Sequence, residues 1–202
     1  MTALARVREI WLFPVKSMAG VQVESAAVET GGLVGDRSWA VVDADGVTVT
    51  AKSAPQLREV VPHLVDGQLR LDVPGSAVGL GTDAAGDALS SLLGRPVHLE
   101  HRGVAGFVDV APVHVVSTAS MSDAAHASDG NACDTCSNVA PRANLVIDLG
   151  PDADSERDWV GRGVSAGGAA LHVVRLPSHC LGVYADVTTP GTVRRGDDVT
   201  RA

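Results

Sequence analysis

The chain has 202 residues, 45% hydrophobic, 20% charged and only 3% aromatic, with a formal net charge of −8. That length buries a substantial aliphatic core in one large domain or two small ones, and the acidic balance, with no stripe of Lys and Arg, argues against nucleic acid as a partner. The N-terminus has no apolar signal core and no apolar run approaches the roughly 20 residues of a membrane span, so the expectation is a cytoplasmic protein that does not engage a membrane.

Twenty-two glycines and ten prolines fall between short Val-rich runs, which favours a mainly β fold with a few short helices. Val7–Val15 reads as a first strand and Val21–Val28 as a second. After the glycines of Gly31–Gly35, Trp39–Val42 and Val47–Thr50 make a hairpin whose tight turn is Asp45-Gly46. Pro55–His63 is a connection or short helix, and Gln68–Val73 is a strand opened by the Asp66-Gly67 turn. Asp83–Leu93 has helical spacing, with Thr82 or Asp83 as its N-cap and Gly94 as its stop. Val97–His101 and Val113–Ser117 return as strands around a joint at Gly103–Gly106, and a short capped helix covers Ser120–Ala127. Ser128–Val139 is a polar loop, Asn144–Leu149 a buried strand and Pro151–Asp158 a loop. Ala169–Leu176 and Val183–Val187 extend the sheet, and Gly191–Val199 closes the chain as a turn-rich hairpin.

Four groups of residues could carry chemistry. Cys180 follows a strand, Pro177, Ser178 and His179, so it sits on a turn where a thiolate can be stabilised by nearby donors; the plainer alternative is a packing cysteine. Lys16-Ser17 and Asp36-Arg37 place two cations and a hydroxyl at strand ends, where a lysine point charge and a guanidinium fork suit a phosphate or carboxylate. As plain surface charges, Arg37 would pair with Asp36 or Asp43. Cys133-Asp-Thr-Cys136 has the spacing of a redox disulfide or half a zinc site, with His126, His179 and Cys180 as further candidate ligands. Three cysteines is an odd number, so at least one thiol lacks an internal partner. Arg142-Ala-Asn144 stands at a strand entry, where an amide can read a heterocycle edge or simply cap a turn.

Taken in order, FPVKSMAG at Phe13–Gly20, GLVGDRSWAVVDADG at Gly32–Gly46, VDVAPVHVVSTASM at Val108–Met121, PRANLVI at Pro141–Ile147, Trp159 and SHC at Ser178–Cys180 resemble the MOSC family. That family is named for the C-terminal domain of molybdenum cofactor sulfurase. The resemblance implies an N-terminal β-barrel subdomain over residues 1–100 and a MOSC β-barrel domain, pyruvate kinase barrel-like, over 101–202. It also implies a molybdenum cofactor (molybdopterin), with Cys180 as the metal ligand and the residue at the reacting centre. Lys16, Ser17 and Arg37 would hold the cofactor's phosphate, and Thr118, Ser120, Arg142, Asn144 and Ser178 would line the pterin and the surroundings of the metal. The sequence departs from the amidoxime-reducing members in three places. His179 replaces an arginine, Leu181-Gly-Val-Tyr184 follows the cysteine almost directly, and an R-F-R-P-N motif is reduced to Pro141-Arg-Ala-Asn144.

Three functions compete at this point. The first is a molybdenum-dependent oxidoreductase that reduces N-hydroxylated or N-oxide small molecules; lacking a flavin fingerprint or ferredoxin-like cysteines, it would draw electrons from a separate reductase. The second is a cofactor carrier or sulfur-transfer module that uses the Cys180 thiolate or persulfide. The third is a zinc- or disulfide-regulated binding protein acting through Cys133 and Cys136.

Overall fold

The computed structural model of the chain describes residues 3–104, 106–126, 142–178 and 180–202. Its strands in chain order are β1 (Ala5–Leu12), β2 (Val21–Val23), β3 (Ser25–Glu29), β4 (Gly32–Leu33), β5 (Trp39–Asp43), β6 (Thr48–Val49), β7 (Val61–Val65), β8 (Gln68–Asp72), β9 (Val97–His101), β10 (Val113–Ser117), β11 (Leu145–Leu149), β12 (Gly163–Ala166), β13 (Ala169–Arg175), β14 (Val183–Thr189), β15 (Gly191–Arg194) and β16 (Asp198–Arg201). The α-helices are α1 (Thr82–Leu93) and α2 (Thr118–His126), and short 3₁₀ turns cover Pro55–Glu59 and Glu156–Trp159. The mainly β expectation holds. The chain divides into two compact units, one of residues 1–11, 22–34 and 109–202, the other of 12–21 and 35–108.

The first unit is organised by a closed barrel. Strands β11, β10, β14, β13, β12, β16 and β1 are hydrogen-bonded in that order, and β11 returns to β1 to complete a ring of seven. Closure leaves the ring without an open edge. Strands β10 and β11 run parallel, which a tight hairpin cannot connect, whereas the other six ring pairs are antiparallel. Along β1 the alternation changes parity: Ala5 and Val7 face inward, then Ile10 and Leu12 do. The cause is a bulge between Val7 and Glu9 in the pairing with β11, which inserts one residue and moves every later side chain to the other face. Outward-facing Arg6 and Arg8 instead pair with Asp198 and Asp148.

The carboxy-terminal hairpin expectation is wrong. β15 pairs with β3, and that strand with β4, whereas β16 enters the barrel between β12 and β1. Alternation and turn residues announce two strands, but which partners they take is decided by residues far away in the chain. β12, four residues between glycines, carried too little pattern to be recognised.

The second unit contains the sheets β6-β5-β9 and β7-β8 with α1 against β8 and β9. Its core is aliphatic: Val15, Met18, Val41, Leu57, Val60, Leu71, Ala85 and Leu89 are all buried. The β7–β8 hairpin turns on Asp66 (φ 50°) and Gly67 (φ 75°), the two left-handed residues that a two-residue type I′ loop requires. Helix α1 ends at Gly94 in the left-handed conformation, as its sequence implies, but its N-cap is Gly81 and neither Thr82 nor Asp83. Glycine caps with no side-chain acceptor, so the start of α1 carries none of the usual signal.

Candidate functional site

In the second unit, Phe13–Lys16 and Arg37–Trp39 run side by side. Arg37 N donates to Phe13 O at 2.8 Å, Trp39 N to Pro14 O at 3.0 Å and Lys16 N to Trp39 O at 2.8 Å. The main chain of Phe107 then joins the two cationic residues: its N–H donates to Arg37 O at 3.1 Å, and its carbonyl accepts from Lys16 Nζ at 3.3 Å. Lys16, Ser17 and Arg37 are thus brought together in this unit.

Two of these three stand on unusual backbone. Ser17 (φ 71°) and Arg37 (φ 45°) are, with Asp66 of the hairpin turn, the non-glycine residues at positive φ among those described. Such residues cost on the order of 1–2 kcal/mol each, and in folded proteins they gather at ligand clamps and tight turns. Ser17 is the third residue of the turn Val15–Met18, closed by Met18 N donating to Val15 O at 3.2 Å, the position at which a type II turn takes a positive φ, and Arg37 also lies in a turn.

Asp36 supports this geometry and was read from the sequence only as a possible ion-pair partner. It is buried at 3% exposure; its Oδ1 accepts from Phe13 N at 2.7 Å and its Oδ2 accepts from the Arg37 guanidinium. That guanidinium also lies over the Phe13 ring, 5.0 Å from its centroid. Pairing of Arg37 with its neighbour is therefore real, and it holds the side chain close against Phe13. The Gly35-Asp36-Arg37 run is the signal that could expose Asp36, because a carboxylate beside an arginine in a glycine turn is placed to fix that arginine's rotamer.

In the first unit, Ser117 ends β10 and caps α2, its Oγ accepting from Ser120 N at 3.0 Å. Its own N–H donates at 3.2 Å to Glu156, a carboxylate that is fully buried. Thr118 Oγ1 donates to Asp148 at 2.7 Å, and Asp148 in turn holds Arg8. Asn144 is 1% exposed: Oδ1 accepts from His114 N at 3.1 Å and Nδ2 donates to Trp11 O at 3.3 Å. Its amide thus spans the main chains of β10 and β1 where β11 closes the ring. Arg142 is half-buried in the extended approach to β11.

Ser178 is exposed and Cys180 half-buried on the bend after β13. Cys180 is disulfide-bonded, so in this state its sulfur has no thiolate to give. Cys133, Cys136 and His179 also lie outside the described residues. No helix among the described residues is long and apolar enough to cross a membrane. A cavity of about 520 Å³ lies between α1 and β9, lined by Trp39, Asp83, Asp87, His98 and His101 among others, and none of the candidate cofactor-binding residues borders it.

Comparison with known proteins bears on the amino-terminal part of the chain. Residues 4–88 match the family described as MOSC N-terminal beta barrel domain. Mitochondrial amidoxime reducing component 2 of Rattus norvegicus is 40% identical over 73 residues, which is 34% of this chain and 22% of that protein. Molybdenum cofactor sulfurase of Drosophila grimshawi is 34% identical over 67 residues, 33% of this chain and 9% of that protein. The matches therefore span about a fifth or less of these curated relatives. The crystal structure of the YUAD protein from Bacillus subtilis aligns over 96% of this chain and 93% of its own, with a TM-score of 0.50 and 13% identity, a likeness of fold. The segments Pro14–Ser17 and Gly32–Trp39 fall inside residues 4–88, the part of the chain that matches the MOSC N-terminal beta barrel domain.

Proposed function

We propose that this chain binds the molybdenum cofactor and uses it to reduce N-hydroxylated or N-oxide small molecules with electrons from a separate reductase. The observation that carries the reading is that Lys16 and Arg37 meet at the main chain of one residue, Lys16 Nζ donating to Phe107 O and Phe107 N donating to Arg37 O, with Lys16, Ser17 and Arg37 themselves inside the matched residues. The names of the relatives, an amidoxime reducing component and a molybdenum cofactor sulfurase, supply the chemical class.

The donor set fits an anionic ligand bearing a metal already held by sulfur on one condition. Lysine and arginine are suited to a phosphate, and a half-buried cysteine on a bend is suited to such a metal only as the thiolate, so the Cys180 disulfide must first be reduced. By the family resemblance, Lys16, Ser17 and Arg37 would hold the phosphate, Thr118, Ser120, Arg142 and Ser178 would offer hydrogen bonds to the pterin and Cys180 would ligate the metal. Asn144, with its amide committed to two main chains, acts by fixing β10 and β1. When bound, the group supplies two-electron redox chemistry at the metal. Cleavage of the substrate's N–O bond takes two electrons from the reductase and two protons, and releases water.

The disulfide favours one second reading, a sulfur carrier, because persulfide transfer proceeds by thiolate attack on a sulfur–sulfur bond, the same exchange that makes and breaks the Cys180 disulfide. Turnover of an amidoxime with an artificial electron donor, by protein purified from a host that makes the cofactor, separates the two. Turnover abolished in Cys180→Ser supports the oxidoreductase, and bound molybdenum without turnover supports the carrier.

A further inference from the structure

Strand β10 passes directly behind the residue that follows Cys180. His114, 5% exposed, brings its Nε2 to 2.7 Å from the carbonyl oxygen of Leu181, and its ring tilts against Tyr184 with centroids 4.9 Å apart. Two bonds to Asn144 hold its main chain: His114 N donates to Asn144 Oδ1 at 3.1 Å and Asn144 N donates to His114 O at 2.8 Å. One residue further on, Gly182 (φ 79°) lies so close to β10 that a Cβ there would meet Val115 O at 2.1 Å. The chain after Cys180 is therefore pinned to β10 at two successive residues, once by a side chain and once by close main-chain approach.

We infer that His114 is a positioning residue for Cys180: by holding the Leu181 carbonyl it sets where the neighbouring sulfur stands. The inference rests on the proposed role of Cys180 and adds to it the residue that orients the ligand. A carbonyl oxygen only accepts, so the bond requires the proton on Nε2 of His114. At 5% exposure the ring is withdrawn from solvent, and its effect on the site runs through Leu181. The sequence showed His114 only as one residue of a compact strand.

The test is the rate at which iodoacetamide alkylates Cys180 in the reduced chain, followed on the Cys180 peptide by mass spectrometry. His114→Phe, which keeps the ring contact with Tyr184 and removes the donor, is expected to change that rate roughly threefold to tenfold, the factor of one ordinary hydrogen bond. His114→Gln, which keeps a donor, is expected to stay within about twofold of the parent. A folded His114→Phe chain with a lowered melting temperature and an unchanged alkylation rate would mean a merely structural histidine and overturns the inference. If His114→Phe does not fold, nitrogen NMR of the unmodified protein decides: the Nε2–H tautomer upholds the inference and the Nδ1–H tautomer ends it. Neither readout involves the cofactor, so a Cys180→Ser chain that kept its molybdenum would sink the proposed function and leave these results standing.

Discussion

Arg37 is held by the residue before it, its guanidinium donating to a carboxylate oxygen of Asp36 whose side chain is only 2% exposed. The other oxygen of Asp36 accepts from Phe13 N, so one buried carboxylate ties together the two segments that carry the cationic pair. In Asp36→Asn the amide can still accept from Phe13, but its NH₂ then faces the guanidinium, donor against donor. Breaking a buried pair from one side costs about 3 kcal/mol, so the midpoint of thermal unfolding should fall by roughly 6–12 °C. Calorimetry on the variant checks this.

Gly182 and Gly46 share nearly the same backbone angle, φ 79° and 78°, but a Cβ at Gly46 would meet nothing within 4 Å while one at Gly182 would run into Val115 O. Gly46→Ala should therefore cost only the left-handed penalty, about 1–2 kcal/mol. Gly182→Ala should cost that plus displacement of the Cys180 bend from β10, and chemical denaturation should rank it well below Gly46→Ala in stability.

In the second unit, the hydrogen bond from His63 and then that from Gly79 N hold the Asp72 carboxyl below its ordinary value of 3.8. A group whose folded pKa is depressed stabilises the fold above its unfolded pKa, and that contribution fades as pH falls through the folded value. Asp72→Asn should thus lower the melting temperature at pH 7, and the gap to the parent should close below pH 3.8. Melting curves across pH test the trend.

Local chemistry made much of the second unit legible. Asp66-Gly67 specified its hairpin because few residue pairs accept two left-handed conformations in succession, and Gly94 marked the end of α1 for the same reason. Pairing over distance was not legible. The ring closes through β1 and β11, strands about 140 residues apart in sequence, and nothing in Ala5–Leu12 names Leu145–Leu149 as its partner. The site divides along the same line. Lys16 and Arg37 stood out as cations at strand ends, whereas Phe107, which joins them, acts through its main chain and leaves no mark in its side chain.

Because Cys180 is disulfide-bonded, it should resist alkylation in the oxidised chain and become reactive after treatment with a dithiol. Cofactor uptake should follow the same dependence: oxidised apoprotein should take up little, and prior reduction should restore uptake. Uptake that is equal in both states would separate the sulfur of Cys180 from cofactor binding.

The central claim is best tested by molybdenum content, measured on protein made in a host that synthesises the cofactor and purified under reducing conditions. The account predicts roughly one molybdenum atom per chain, lost in Cys180→Ser and sharply reduced in the Lys16→Ala, Arg37→Ala double variant. Molybdenum absent from the parent chain, or undiminished when Cys180 is replaced, would contradict it.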